Sequence, residues 1–356
     1  MEQPNGADGA PNSEAGMVAH RDVIAIGASA GGVEALRAVV AGLPDDLPAA
    51  VLVVLHVPRT GQSALASILA RVSSLPVRPA VDGEMLRHSR VYVAPVDRHL
   101  LLLGNRIRLS RGPTENGHRP AIDPLFRSVA RAFGPRAVGV VLSGSRDDGA
   151  AGLAAIAARG GTTVVQDPSD AVFPAMPRAA LEQVVPDRVL PVAQIGAALS
   201  ELSRQPAPDN LVIDKDPMLD AEVAMADLGP VTTDELSGQP AGYGCPACGG
   251  SLYELPTNSV MPRYRCRVGH AWSPESLLEE QAAALESALW MALRSLEEKA
   301  VLSRRMAESS RRHGHDAARD RYRLQADDAE AAGSLIRDLI DRVGAAADGE
   351  AVYSTE

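Results

Sequence analysis

Short aliphatic runs alternate with helical segments between residues 21 and 203, and this alternation restricts the fold more than any other feature of the sequence. Val23–Ile26 and Val51–Leu55 predict buried strands, and Gly32–Gly42 between them predicts a helix with its apolar residues on one face. Further strands are predicted at 90–94, 100–103, 107–109, 138–142 and 162–166, and further helices at 63–72, 123–133, 150–158, 177–184 and 193–202. We therefore expect residues 21–203 to form an α/β domain, a doubly wound and mostly parallel sheet in a three-layer, Rossmann-like arrangement.

Three smaller segments are predicted after this domain. Residues 204–242 are polar and Pro-rich without a sustained period, which favours a linker. Residues 243–273 contain all three cysteines and predict a zinc-ribbon-like module, and residues 274–343 repeat apolar side chains at spacings of three and four, which predicts an α-helical hairpin. Residues 1–20 are expected to be a disordered tail, and residues 344–356 a second tail.

Composition and charge exclude several classes of protein. The net charge of −10 and the absence of basic runs argue against a nucleic-acid binder, which needs a basic surface to displace counterions from phosphates. No run reaches the roughly 18 apolar residues of a membrane span, and the first twenty residues lack the apolar segment of a signal peptide. We therefore expect a cytoplasmic protein that does not insert into membranes.

A glycine-rich turn follows the first predicted strand. Gly27-Ala28-Ser29-Ala30-Gly31 fits the pattern G-x-S-x-G, in which a sharp turn between strand and helix exposes the serine hydroxyl. The N–H groups at the following helix start are suited to binding an oxyanion. A nucleotide phosphate is an alternative ligand for such a turn, although the second glycine of G-x-G-x-x-G is missing here.

Two further polar residues follow predicted strands. His56 comes directly after the second strand, and Asp148 follows the strand at 138–142. Because the carboxyl ends of parallel strands meet at one edge of a sheet, both side chains are expected near Ser29. A serine nucleophile needs a base to take its proton, and that base needs a carboxylate to orient it, so the three residues predict a catalytic triad.

Six segments together resemble the catalytic domain of the chemotaxis protein-glutamate methylesterases, the CheB-type family. The resemblance covers about residues 21–203 in order, through the segments VIAIGASAGGVEAL, His-Val-Pro at 56–58, VYVAPVDRHLLL, HRPAIDPLFRS, LSGSRDDGAAG and FPAMPRAA. It implies that Ser29 is the nucleophile, His56 the general base and Asp148 the orienting acid. Asp148 matches the family's aspartate, rather than Asp147, because it directly precedes a glycine.

The resemblance also implies a reaction and its partners. The expected activity is hydrolysis of glutamate γ-methyl esters, together with deamidation of glutamine, on a methylated chemoreceptor or similar signalling protein and without a catalytic cofactor. The backbone N–H groups of Ala30 and Ser145 match the positions of the oxyanion hole. Ala30 replaces a frequent threonine, and Gly144-Ser145-Arg146 replaces a G-M-G segment, so substrate contacts are expected to differ while the backbone donors are kept.

Two expectations concern regulation. Only twenty residues precede the matching region, so we expect a stand-alone form without a receiver domain. The alternative to an enzyme is a regulatory interaction protein that uses a retained esterase fold to dock its partners.

The cysteines are spaced like metal ligands. Cys245-x₂-Cys248 is followed by 17 intervening residues and then by Cys266-x₃-His270, which is the arrangement of a zinc ribbon. Three thiolates and one imidazole complete a closed tetrahedral site, so the expected zinc is structural. An iron–sulfur cluster normally uses four cysteines and is less suited to this set.

The predicted hairpin is rich in Ala and Leu, and two helices of this kind bury little area by themselves. A second hairpin would complete a four-helix bundle, so we expect a homodimer through these helices.

Overall fold

The computed structural model describes residues 19–208, 216–228, 238–256 and 261–353, with side chains described up to residue 343. Almost all of the predicted tail 1–20 lies outside these residues, as do two stretches of the predicted linker. Contacts along the chain divide it into two units. The first contains residues 1–112 and 119–235, and the second contains residues 113–118 and 236–356.

The first unit is built around a parallel sheet. The strands of this unit are β1 Val23–Ala28, β2 Ala50–Leu55, β3 Val77–Pro79, β4 Arg90–Val93, β5 His99–Leu103, β6 Arg106–Ser110, β7 Ala137–Val141, β8 Thr162–Gln166 and β9 Arg188–Leu190. Seven of them form one sheet in the order β3-β4-β2-β1-β7-β8-β9, and every neighbouring pair is parallel. The other two, β5 and β6, pair as an antiparallel hairpin. The predicted parallel sheet is confirmed.

Helices cover both faces of this sheet. They are α1 Gly32–Ala41, α2 Leu65–Ala70, α3 Ile122–Phe133, α4 Ala150–Ala158, α5 Ala175–Gln183, α6 Val192–Ser203 and α7 Pro217–Ala226. Alternate residues of β1 point to opposite sides, so Ile24 and Ile26 enter a core with α1, α2 and α6. Val23 and Ala25 enter a second core with α3, α4 and α5.

The predicted linker is helical in part. Asp216 caps the start of α7 by accepting a hydrogen bond from the Leu219 N–H, and Pro217 occupies the first helical position. Leu219 and Val223 are buried in the first unit. The predicted linker 204–242 therefore includes a helix over Pro217–Ala226 that was not predicted, although the start signal of this helix is present in the sequence.

The second unit begins with a small antiparallel sheet. Its strands are β10 Gln239–Gly244, β11 Ser251–Glu254, β12 Tyr264–Cys266 and β13 Ala271–Trp272, in that order across the sheet. Residues 113–118 are part of this unit: the Asn116 N–H donates to the Ala271 carbonyl at 2.9 Å, and the Glu115 carboxylate pairs with Arg265 at 2.9 Å. Both charged side chains of that pair are buried.

Two long helices complete the second unit. They are α8 Pro274–Arg312 and α9 Asp316–Tyr353, so the helical hairpin is confirmed and extends ten residues beyond its predicted end at 343. At 1.5 Å per residue each helix is about 57–59 Å long. Leu289, Leu293 and Ile340 pack between them. None of the helices in the described ranges is both long and apolar enough to cross a lipid bilayer.

Candidate active site and metal centre

The three residues of the predicted triad lie at one edge of the parallel sheet. The central strand β1 is hydrogen-bonded to β2 on one side and to β7 on the other. Ser29 directly follows β1, His56 directly follows β2, and Asp148 lies in the loop between β7 and α4. The chain order reverses at β1, and crevices at such switch points are the usual binding sites of doubly wound sheets.

Close packing of two loops fixes the position of Ser29. Its backbone N–H donates to the Ser143 carbonyl at 3.0 Å, which joins the β1–α1 turn to the β7–α4 loop. Gly31 has a φ of 69°, a conformation that side chains disfavour. A Cβ atom at Gly144 would lie 2.9 Å from the Ser29 Cβ. Glycine at both positions therefore lets the loops approach each other while the serine keeps its place.

Ser29, His56 and Asp148 form one row of hydrogen-bonded side chains. The Ser29 Oγ lies 3.1 Å from the His56 Nδ1, and the His56 Nε2 lies 2.7 Å from the Asp148 Oδ2. The imidazole is 5% exposed and the carboxylate 1% exposed. Because a carboxylate only accepts hydrogen bonds, the Nε2 atom carries the proton, and the Nδ1 lone pair faces the serine hydroxyl. This arrangement allows the imidazole to remove the hydroxyl proton.

The start of α3 also binds the Asp148 carboxylate. The Ile122 N–H donates to Oδ2 at 2.7 Å, and the Asp123 N–H donates to Oδ1 at 3.3 Å. These N–H groups lack partners within their own helix, and the positive end of the helix dipole lies at the same place. Both effects stabilise the ionised form of Asp148.

The two predicted oxyanion donors flank Ser29. Ala30 follows it directly, and Ser145 follows Gly144, whose Cα lies close to the serine side chain. In the described part of the chain, no hydrogen bond from either N–H group is present. Both donors are therefore available to a substrate.

An ion pair holds the connection that leads into α3. The Arg119 guanidinium donates to the Asp97 Oδ1 at 2.6 Å and to the Gly112 carbonyl at 2.8 Å. Burial raises the pKa of the Asp97 carboxyl, but the hydrogen bond and charge of Arg119, with Arg111 and Arg59 nearby, outweigh burial and hold that pKa below its ordinary value.

The four predicted metal ligands form one cluster. One ligand atom from each of Cys245, Cys248, Cys266 and His270 lies within 4.8 Å of all the others. The sulfurs of Cys248 and Cys266 are 3.7 Å apart, and the Cys266 sulfur is 3.5 Å from the His270 Nδ1. A tetrahedral zinc site with ordinary bond lengths has S–S edges of about 3.8 Å and S–N edges of about 3.6 Å. The donor set therefore fits a tetrahedral metal ion.

The pKa values of two thiols in this cluster are shifted in opposite directions by their surroundings. Burial raises the pKa of the Cys266 thiol to about 11, with contributions from the Cys245 charge and the Cys248 side chain. The exposed Cys248 behaves in the opposite way, since a hydrogen bond from the Gly250 backbone lowers the pKa of its thiol. A bound cation would reverse the effect of burial at Cys266 because metal ligation requires the thiolate.

Gln166 supports the site and was not predicted. It is the last residue of β8, and its side-chain oxygen accepts a hydrogen bond from the Ser143 N–H at 2.8 Å. Its side-chain nitrogen donates to Asp170 at 2.9 Å. The rule that pointed to His56, a polar residue at the carboxyl end of a parallel strand, also applies to Gln166.

Comparison with known proteins finds similar sequences for the first unit. A family model described as CheB methylesterase matches residues 24–199. A protein-glutamate methylesterase/protein-glutamine glutaminase 2 of Anaeromyxobacter dehalogenans is 47% identical over 183 residues, which is 51% of this chain and 54% of that protein. A protein-glutamate methylesterase/protein-glutamine glutaminase 1 of Xanthomonas euvesicatoria is 43% identical over 187 residues, which is 51% of this chain and 52% of that protein.

One solved structure, the CheB methylesterase catalytic domain of Thermotoga maritima, aligns with 32% identity and a TM-score of 0.49, over 51% of this chain and 98% of that chain. The chain spans about half the length of the curated relatives it matches. Residues 24–199 of this chain are a CheB methylesterase domain.

Proposed function

We propose that this domain is a serine hydrolase that removes γ-methyl esters from glutamate side chains of a protein, and that it also hydrolyses the side-chain amide of glutamine. The observation that carries the proposal is the hydrogen-bonded row of Ser29, His56 and Asp148 at the switch point of the sheet. The names of the curated relatives support the same pair of reactions. By analogy with the family, the substrate is a methylated chemoreceptor or a similar signalling protein in the cytoplasm.

In the first half of the reaction, Ser29 Oγ attacks the γ-carbonyl carbon of the ester. His56 Nδ1 takes the hydroxyl proton, and Asp148 stabilises the imidazolium that forms. The carbonyl oxygen gains negative charge, which the N–H groups of Ala30 and Ser145 stabilise. The intermediate then collapses, and methanol leaves with the proton that His56 returns to it.

In the second half, water replaces methanol. His56 takes a proton from the water, the hydroxide adds to the glutamyl–Ser29 ester, and the proton returns to Ser29 Oγ as the γ-carboxylate of the substrate protein leaves. Loss of a single oxyanion donor typically costs about 3–4 kcal/mol in the barrier, so the two backbone donors contribute substantially to the rate. Ammonia takes the place of methanol when the substrate is glutamine.

Replacing Ser29 with alanine tests the proposal. We expect Ser29→Ala to lower kcat for a glutamyl methyl ester protein by about 10⁴-fold or more, because the nucleophile is lost. Methanol release measures the rate, and the thermal midpoint checks the fold. Ser169→Ala is the matched control, since Ser169 lies on an exposed turn where its hydroxyl contacts Asp167.

The outcomes of this experiment separate the two candidate functions. Wild-type protein that releases no methanol from any methylated substrate favours the regulatory interaction protein. Equal turnover by wild type and Ser29→Ala contradicts the triad but not the fold.

We further propose that Cys245, Cys248, Cys266 and His270 hold one structural zinc ion in a zinc-ribbon-like module. The spacing of the ligands and the edge lengths of the cluster support zinc. Four protein ligands leave no open coordination position, so the ion would stabilise the small sheet and take no part in hydrolysis.

A homodimer through α8 and α9 is the third part of the proposal. Leu324, Leu335 and Leu339 lie on one side of α9, away from the contact with α8, and are exposed. A second copy of the hairpin would cover them in a four-helix bundle.

A further inference from the structure

Asp123, a buried acid that takes no direct part in the proposed chemistry, lies next to Asp148. It is the second residue of α3, and its backbone N–H donates to the Asp148 carboxylate at 3.3 Å. Its own side chain points to the start of α4, where the Oδ1 atom accepts hydrogen bonds from the Gly149 N–H at 3.1 Å and from the Gly152 N–H at 2.6 Å.

The two aspartates therefore cap each other's helices. Asp148 precedes α4 and binds N–H groups at the start of α3, whereas Asp123 belongs to α3 and binds N–H groups at the start of α4. The N-cap residue of α4 is Gly149, which has no side chain to serve as a cap, so Asp123 supplies this function from the neighbouring helix. The exchange fixes both the carboxylate of Asp148 and the backbone that carries it.

The first turns of α3 and α4 pack closely, and this packing makes the mutual capping possible. Gly149 has a φ of 98°, and a Cβ atom there would lie 2.8 Å from the Ile122 side chain. A Cβ atom at Gly152 would lie 2.6 Å from the Phe126 Cβ and 3.0 Å from the Asp123 Oδ1. The first turns of α3 and α4 are therefore in direct backbone contact, which brings the short side chain of Asp123 within reach of α4.

A buried cation balances the charge of Asp123. The Arg127 Nη1 lies 3.8 Å from the Asp123 Oδ2, one helical turn further along α3, and the Arg127 Nε lies 3.8 Å from the Glu222 carboxylate of α7. All three side chains are buried. The buried Asp123 carboxylate therefore has two backbone donors at one oxygen and a guanidinium near the other.

We propose that Asp123 is a positioning residue for hydrolysis: by capping α4 it holds the Asp148 carboxylate at hydrogen-bonding distance from His56. This inference rests on the hydrolase function proposed above. Without the Asp123 side chain, the Asp148 carboxylate keeps its bonds from the Ile122 and Asp123 N–H groups, but the backbone that carries it loses the hydrogen bond at Gly149. Misplacement of a catalytic group by about 1 Å is enough to cost about 100-fold in rate.

Two variants of Asp123 test the inference. We expect Asp123→Ala to lower kcat for the methyl ester protein about 100-fold with KM within twofold of wild type, because binding groups are unaffected. Asp123→Asn keeps an oxygen for the Gly149 and Gly152 N–H groups but loses the charge that faces Arg127. We therefore expect it to recover most of the rate, with kcat about three- to tenfold below wild type.

Asp22→Asn is the matched control for the loss of a buried acid. Asp22 pairs with Arg136 at the opposite end of β1, so this variant is expected to lose stability and keep its kcat.

Equal losses of kcat in the alanine and asparagine variants of Asp123, or a kcat of Asp123→Ala within threefold of wild type, would overturn the inference. If Asp123→Ala does not fold, Asp123→Leu, which keeps the approximate size of the side chain but has no acceptor for the Gly149 and Gly152 N–H groups, takes its place with the same two criteria. Absence of activity in wild type contradicts the hydrolase function itself and is a separate result.

Discussion

Asp147 and Asp148 are adjacent buried acids, and Asp148 bonds to His56 at 2.7 Å. We expect Asp148→Asn to lower kcat by about 10⁴-fold, because an amide at this position allows the wrong tautomer of the imidazole. Asp147→Asn, the matched control, should keep kcat within about tenfold of wild type since it leaves the row of hydrogen bonds intact. Steady-state methanol release measures both rates. A larger loss of kcat in Asp147→Asn than in Asp148→Asn would assign the catalytic role to Asp147.

The ion pair between Asp97 and Arg119 predicts a dependence of stability on acid. The folded protein holds the pKa of Asp97 below its ordinary value of 3.8. The folded state therefore releases this proton more readily than the unfolded state, and the stabilisation is present above pH 4 and lost as the pH falls through the lowered value. We expect the thermal midpoint of Asp97→Asn to fall less than that of wild type between pH 5 and pH 3. Parallel curves for the two proteins would contradict this.

The sequence predicted Ser29, His56 and Asp148 as one site because each of them follows a buried strand that is easily recognised. Asp123 carries no such signal. An acid in the first turn of a helix is common and favourable by itself, and only the approach of α4 turns its side chain into a cap for another helix. Roles that depend on contact between distant segments are therefore the part of a site that a sequence pattern does not reveal.

At the scale of elements, the metal cluster and the sheet β10–β13 are expected to form together. The sheet is small, and its buried core includes Cys245 and Cys266 themselves. We expect about one zinc per chain, and we expect its removal by a chelator to unfold this sheet. The indole of Trp272, which donates to the Cys245 sulfur at 3.3 Å, should then become exposed. Trp290→Phe removes the other tryptophan, so that a red shift of the remaining emission reports on Trp272 alone.

Zinc binding should also release protons. Because burial raises the pKa of the Cys266 thiol to about 11, this thiol is protonated at neutral pH without a metal and must lose its proton to bind one. Affinity is therefore expected to fall as the pH falls, and a pH indicator in weak buffer would record the release. Cys248→Ser should release fewer protons per zinc and bind more weakly. Zinc uptake without proton release would contradict thiolate ligation.

Long elements were predicted better than short ones. The strands β1, β2, β7 and β8 read directly from aliphatic runs of about five residues, whereas β3 and β9 have three residues each and contain too few side chains to show a period. The helix α7 was missed for a different reason. Its start signal at Asp216-Pro217 was present, but the polar, Pro-rich residues around it led to the prediction of a linker.

At the scale of the molecule, the exposed leucines of α9 predict the oligomeric state. Leu335 is 70% exposed, and Leu324 lies eleven residues before it on the same side of the helix. If a second hairpin covers them, Leu335→Glu should turn a dimer into a monomer, because burying an unpaired charge at an interface is unfavourable. Ser334→Glu on the neighbouring exposed face is the matched control and should remain dimeric. Light scattering measures both, and a monomeric wild type would contradict the proposed dimer.

Because residues 113–118 belong to the second unit, the chain crosses between the two units more than once. A module appended to the end of a protein is joined to it by one covalent crossing, but this chain passes from one unit to the other at 112–113, returns at 118–119 and passes again at 235–236. A single proteolytic cut before residue 236 would therefore leave a six-residue piece of the other fragment bound in the small sheet, held there by Glu115 and Asn116. Conversely, a shortened gene that ended before residue 236 would leave the buried carboxylate of Glu115 without Arg265, in the segment that leads to α3 and the Asp148 carboxylate.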